Sequence, residues 1–378
     1  MLLLKRSFIF CVVLIAALTV AGFVVRSRAQ SNPSGQRPRR TDNPAATPTP
    51  PKKEDEVTIP SDEVLRVETN LTNVFFTAAD KQKRFISTLK REDVRVLEDG
   101  VPQEIFTFAQ NVDLPLSLAI LVDTSGSEER TLPEEKAAAR AFLESVLRPE
   151  KDEAAVVSFT GEVTLEQGLT GNVGRLRRAI DQIEFVPPSG YIGGGVVVGG
   201  TPPISGTQQT LAGSTAIWDA IWATSNEILG DSAEHMRRAI ILLTDGEDTI
   251  SQVKMQDAIN RAVKADALIY AIGIGDRYQF GINEGALKKI TESTGGRAYF
   301  PRNERELREA FSQIERELRE QYLVAYSSSN KTRDGSYRRV SIEIINPDLR
   351  KDGLKLTYRP GYFAKAPGAT SSSTTKNP

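Results

Sequence analysis

The sequence predicts an α/β fold: a doubly wound, mostly parallel sheet, with a flanking antiparallel β-domain built from N- and C-terminal segments. Between Leu114 and about Glu320, continuous apolar runs alternate with stretches of helical spacing, the pattern of a sheet covered on both faces. On either side of that region, short alternating runs are broken by turn residues. The composition, 39% hydrophobic and 26% charged, is that of a globular chain.

The N-terminus is different in kind. After Lys5 and Arg6, the segment from Phe8 to Val25 is almost wholly apolar, and Ser27-Arg28-Ala29 offers a small-x-small cleavage site before Gln30. Residues 1–29 are therefore expected to direct export, as a cleaved signal or as an uncleaved membrane anchor, since the run approaches the length of a span. Their loss removes four basic residues and no acidic one, and it takes away Cys11, the only cysteine. An exported chain of this kind has neither disulfide nor thiol chemistry, so packing alone must hold it. Residues 30–60 are rich in Pro, Ser, Thr and Lys, a composition that cannot bury enough apolar surface to fold and that favours an extended tether. Residues 365–378 read the same way.

From 61 to 112 the pattern is β. Val94 to Glu98 leads through Asp99-Gly100 into Gln103 to Phe108, and Asp-Gly between two such runs is a hairpin signal because the turn needs positive φ. Within 113–320, the buried-strand runs are Leu116–Val122, Ala154–Phe159, Ala239–Leu243 and Ala267–Ile274. Helical spacing marks Leu176, Ala179, Ile180 and Ile183, and again Leu307, Ala310, Phe311, Ile314 and Leu318. From 321 to 364 the β pattern returns at Tyr322–Tyr326, Tyr337–Ile345 and Leu354–Tyr358. Each flank has few strands for independent stability, so the two are expected to join in one sheet layer with the α/β region inserted between them.

Ligands of open parallel sheets bind beyond the carboxyl ends of the strands. Three polar segments fall there: Asp123-Thr124-Ser125-Gly126-Ser127, Gly213-Ser214-Thr215, and Thr244-Asp245-Gly246. Taken singly, each has an ordinary reading: a turn or helix cap for the first, a helix N-cap for Thr215, a strand-ending turn for the last. Their order, D-x-S-x-S, then G-x-T, then T-D-G, resembles the metal-ion-dependent adhesion site of the von Willebrand factor type A (VWA) family. The wider chain, roughly 62–363, is similar to the VWA-related exported proteins of Acidobacteria. The segments that carry this wider likeness are Glu98 to Phe108, Leu121 to Ser127 and Asp334 to Phe363. The resemblance implies that Ser125, Ser127 and Thr215 bind Mg²⁺ directly, with Mn²⁺ or Ca²⁺ as substitutes. It implies that Asp123 and Asp245 act largely through waters. A hard divalent cation held mainly by neutral oxygens stays electrophilic and accepts a carboxylate from outside.

Two features depart from the family pattern. Glu128 stands where an apolar residue is frequent and Glu129 follows it; a solvated acidic loop is the simpler expectation, a second adjacent cation the other. The insert 187–212 is Gly-, Pro- and Val-rich, lacks G-K-[ST], and is expected on the rim of the metal face.

Enzyme chemistry finds little support. His235 is the only histidine and precedes a strand start, so it is expected on the surface, away from the metal face. No H-E-x-x-H or Cys/His cluster exists. Lys and Arg number 48 against 49 Asp and Glu, which gives no basic surplus for nucleic acid. The expectation is thus a non-enzymatic, exported protein-binding module whose partner presents Asp or Glu to the metal; the alternatives are a structural envelope protein whose metal only braces loops and a substrate-recruiting subunit of an enzyme assembly. One charge-assisted contact contributes roughly 1.5–3 kcal/mol, whereas micromolar affinity needs about 8 kcal/mol. Rim loops must supply the rest.

Overall fold

A computed structural model describes residues 71–110, 113–187, 214–230, 232, 236–275 and 281–366. The segments expected to serve as export signal and tether, the residues beyond 366, His235 and all but the first residue of the 187–212 insert lie outside the described residues. Among those described, no helix is long and apolar enough to cross a membrane.

The chain opens with four strands, β1 (Leu71–Ala79), β2 (Val94–Glu98), β3 (Val101–Gln103) and β4 (Ile105–Gln110). Asp99 and Gly100, at φ 49° and 83°, make the tight turn between β2 and β3 that the Asp-Gly pair predicts. Six strands follow: β5 (Leu116–Asp123), β6 (Glu153–Phe159), β7 (Val163–Thr170), β8 (Arg237–Thr244), β9 (Ala267–Gly273) and β10 (Ala298–Tyr299). They form one sheet in the order β10-β9-β8-β5-β6-β7, parallel except for the antiparallel edge strand β7.

Helices cover both faces of this sheet. One side carries α1 (Leu132–Val146), α2 (Val173–Gln182) and α6 (Glu304–Arg319); the other carries α3 (Ile217–Ala223), α4 (Met255–Lys264) and α5 (Glu284–Thr294). This explains the apolar run of β5 from Leu118 to Val122. Leu118, Ile120 and Val122 pack into the first helical layer, and Ala119 and Leu121 into the second, so both faces of the strand are covered; the one polar position before them, Ser117, is buried with its hydroxyl bonded to Glu153. On α6 the side chains at 307, 310, 311, 314 and 318 are buried as their spacing predicts, and Phe311 meets Phe142 of α1 at 5.0 Å between ring centroids.

The last strands are β11 (Tyr322–Ser327), β12 (Tyr337–Ile344), β13 (Lys355–Tyr358) and β14 (Gly361–Phe363), with the short helix α7 (Pro347–Lys351) between β12 and β13. They pair with the N-terminal strands, but in two sheets rather than the single layer expected. One sheet runs β13-β1-β11-β4 and the other β14-β12-β2-β3. The predicted strand from Gln103 to Phe108 is correspondingly split, β3 lying in one sheet and β4 in the other. Two facing sheets bury apolar side chains that one sheet would leave in water. Val74, Phe76, Tyr322, Val324 and Tyr326 from the first sheet meet Val94, Val96, Val340 and Ile342 from the second. Tyr322 stacks on Phe76 at 5.0 Å, and its hydroxyl donates to Ile86 O and accepts from Leu89 N.

A buried polar cluster closes this sandwich. Glu98 Oε2 accepts from the hydroxyls of Tyr326 and Tyr362, both at 2.8 Å, and its Oε1 accepts from Ser328 and from Arg338 at 3.3 Å. Glu98, Arg338 and Tyr362 come from the E-D-G and R-R-V…G-Y-F segments, and Tyr326 and Ser328 from β11 and the residue after it, so part of the flanking pattern reflects one hydrogen-bonded cluster.

Candidate metal centre

Two of the three segments expected to form the site leave the carboxyl ends of β5 and β8, and the third, at Thr215, leads into α3 beside the end of β6. Asp123, the last residue of β5, is fully buried. Its Oδ1 accepts from Ser125 N at 2.9 Å, which turns the chain sharply at the strand end. Its Oδ2 accepts from Thr244 Oγ1 at 2.6 Å, which ties β5 to β8. Ser125 and Ser127 follow with hydroxyl oxygens 3.2 Å apart. Asp245 leaves β8 one residue later; Glu247 N donates to its Oδ1 at 3.0 Å, and Gly246 takes the positive φ, 86°, that the turn requires.

Thr215 is brought to the same end of the sheet by its backbone. Thr249 N donates to Thr215 O at 2.9 Å, and Thr215 N donates to Thr249 Oγ1 at 2.8 Å. The residues beside the expected ligands share one support: Thr124 N bonds Phe159 O, and Ala216 N bonds Thr160 O, both acceptors at the end of β6. The ordinary reading of Thr215 as a helix cap does not hold. Ala216 occupies the cap of α3, and the first-turn N–H groups are satisfied instead by Asp248 Oδ1 and Ser251 Oγ. Asp219 of α3 reciprocates by accepting from Gln252 N and Val253 N. This exchange fixes the Thr215 loop to the Asp245 loop, and sequence reasoning missed it. Asp248 and Ser251, three apart just beyond T-D-G, were the available signal.

The 187–212 insert departs from the same place, since Val186 N donates to Thr124 O at 3.4 Å.

The expectation of a solvated acidic loop fails at Glu128. Its side chain is completely buried, because the short 3-10 turn Gly126–Glu128 folds it under the site rather than outward. Carboxylate oxygens of Asp123, Glu128 and Asp245 all lie within 4.8 Å of one another. Glu128 Oε2 accepts from Thr131 Oγ1 at 2.7 Å, and Oε1 has no hydrogen-bond partner among the described residues. Glu135, on the first turn of α1, is also fully buried beside Glu128.

These carboxyls hold protons tightly in the absence of a cation. Burial, then the charge of Asp245, pushes Asp123 up to about 7. Burial, then the charges of Glu135 and Asp123, raises Glu128 well above the usual carboxylate range. Burial pushes Glu135 up to about 7 and also raises Asp245. The neighbouring charges acting most strongly on all four are themselves acidic. Buried carboxylates without a base need protons or a cation. The donor set here, carboxylates and hydroxyls with no sulfur or imidazole, suits a hard divalent ion.

Two family profiles, both described as von Willebrand factor type A domain, match this chain, one over residues 118–199 and the other over 204–313. The chain therefore belongs to the VWA family through its six-stranded α/β domain. Among solved structures, proximal thread matrix protein 1 from the mussel byssus is 16% identical with a TM-score of 0.43, covering 56% of this chain and 49% of that one. A structure of the same mussel protein with a zinc-occupied MIDAS motif is 17% identical, TM-score 0.40, covering 56% and 49%. The conserved hypothetical protein BatB from Bacteroides thetaiotaomicron is 16% identical, TM-score 0.38, covering 54% of this chain and 98% of its own. The present chain spans about half the length of the mussel protein. No curated protein matches it.

Proposed function

We propose that this chain is an exported, non-enzymatic binding module that uses one Mg²⁺ or Mn²⁺ ion to capture an Asp or Glu side chain of a partner protein. Ser125, Ser127 and Thr215 supply neutral oxygens, and Asp123 and Asp245 hold the ion and its waters. The observation that carries this reading is the convergence of buried carboxylates with the two serine hydroxyls at the carboxyl end of a VWA sheet, with acidic groups as the dominant neighbours. Ser127 is only half-buried, unlike Asp123, Ser125, Thr215 and Asp245, so it marks the side from which a partner reaches the ion. The apolar run Phe8–Val25 supports export.

The test is a pull-down from envelope extract with the tether-to-tail protein as bait. A partner retained in Mg²⁺, released by EDTA, and lost with Asp245→Ala while the circular dichroism spectrum is unchanged supports the reading. The burial of four of the five ligand residues favours one rival, a cation that only braces the loops. Its signature is a chain that unfolds when stripped of metal and retains no partner in either condition.

A further inference from the structure

We infer that Glu128 is an additional, direct ligand of the same cation, making this a three-carboxylate centre with tighter ion binding than its D-x-S-x-S motif alone would give. The inference rests on the metal reading above and extends it to a residue outside the five-residue set.

The argument starts from an oxygen. Glu128 Oε1 is buried with no hydrogen-bond partner among the described residues, although its partner oxygen Oε2 is held by Thr131 at 2.7 Å. A carboxyl oxygen left buried and unpaired costs free energy that a bound cation would offset. The position of this oxygen is also specific. A Cβ placed on Gly275 would stand 3.0 Å from Asp245 Cβ and 3.7 Å from Glu128 Oε1, so the free oxygen lies alongside Asp245 under the exit of β9. Together with Asp123, these groups keep their oxygens within 4.8 Å of one another, a spread that one ion can bridge. Thr131, at the start of α1, fixes the side chain so that Oε1 rather than Oε2 faces the cluster.

Chemistry follows from the count of charges. Each carboxylate added to a hydroxyl-rich site raises cation affinity and lowers the electrophilicity of the ion. Mg²⁺ sheds water reluctantly and insists on octahedral geometry, whereas Mn²⁺ and Ca²⁺ accept carboxylate-rich, less regular shells. The presence of Glu128 therefore favours Mn²⁺ and Ca²⁺ relative to Mg²⁺.

The experiment is isothermal titration of the full exported chain, stripped with EDTA and dialysed, with MnCl₂, CaCl₂ and MgCl₂ in turn. Wild-type protein is expected to take up one ion per chain. Glu128→Gln should weaken Mn²⁺ and Ca²⁺ binding at least tenfold and Mg²⁺ binding less, while the circular dichroism spectrum of the metal-free chain stays unchanged. Thr131→Val, which frees Glu128 without removing it, should fall between the two. Mn²⁺ affinity of Glu128→Gln within twofold of wild type overturns the inference, as does uptake of two ions per chain. Loss of binding in Asp245→Ala with no effect of Glu128→Gln overturns the inference alone. Absence of any uptake by wild type overturns the metal reading with it.

Discussion

Thr244 reaches across the β5–β8 pair and donates its hydroxyl proton to Asp123 Oδ2 at 2.6 Å. The same hydroxyl oxygen accepts from Gly246 N at 3.2 Å, so one side chain connects the first acidic residue of the site to the turn that carries the second. Replacement by the isosteric Thr244→Val removes both bonds and leaves a buried carboxylate and a buried N–H short of a partner. The expected loss is about 1–3 kcal/mol of stability, measured by urea denaturation, with weaker Mn²⁺ uptake. An unchanged denaturation midpoint would remove Thr244 from the account.

Acidity gives a second prediction. Asp123 and Glu135 are pushed up to about 7 in the fold from ordinary values of 3.8 and 4.5. A carboxyl whose folded value is raised binds protons more tightly in the native state than in the unfolded chain. Its stabilising contribution is complete below the ordinary value and disappears as pH rises through the raised one. Metal-free protein in EDTA should accordingly lose stability between about pH 4 and pH 7. Saturating Mn²⁺ should reverse that slope, because the ion replaces the protons. Thermal scans across this range, with and without metal, decide it; a flat metal-free profile contradicts the electrostatic description.

In the β-sandwich, Glu98→Ala strips four hydrogen bonds at once and leaves Arg338, itself only 3% exposed, as a buried charge without its carboxylate. Removing one partner of a buried ion pair costs about 3–5 kcal/mol. Chemical denaturation should show this loss, and Glu98→Gln, which keeps the shape and one of the two acceptor oxygens, should lose less. Equal stability of the alanine variant and wild type would mean that the cluster contributes nothing.

Two glycines separate backbone strain from steric conflict. Gly100, at φ 83°, has nothing within 4 Å of an added Cβ, so Gly100→Ala should cost only about 1–2 kcal/mol through its left-handed conformation. At Gly296 an added Cβ would lie 2.0 Å from Ile269 O, the backbone of β9. Gly296→Ala must displace a central strand and should be clearly the more damaging of the two. Parallel melting curves test the ranking, and a reversed order would show the sheet to be softer here than its packing implies.

How much of this was legible in the sequence varied with the kind of signal. β5 and β8 were readable because burial on both faces makes their central positions, Leu118–Val122 and Ala239–Leu243, continuously apolar. α6 was readable because its inward positions follow the helical repeat without a break. The edge strand β7 was not: Val163–Thr170 is half-exposed along most of its length and shows no clean alternation. Two-residue periodicity in the flanks marked strands but carried no information on which sheet each would join, hence the single layer expected where two exist. At the site, Asp123, Ser125, Ser127 and Asp245 were given by their motif and are drawn into one cluster. Glu128 was misread because charge is normally a sign of solvent, and only the tight turn at Gly126–Glu128 reveals that this one points inward.

Each sheet of the sandwich is woven from both ends of the chain, and Glu98 meets Tyr326 from 228 residues away. The whole VWA region must therefore be made before either sheet can close, and until then β1 and β4 lack their partner β11 and the β2–β3 hairpin lacks β12. Such long-range closure is slow compared with local folding. Protein cut short anywhere before β11 should be prone to aggregate, not merely shortened, which makes the sandwich a seal that only a full-length molecule can complete.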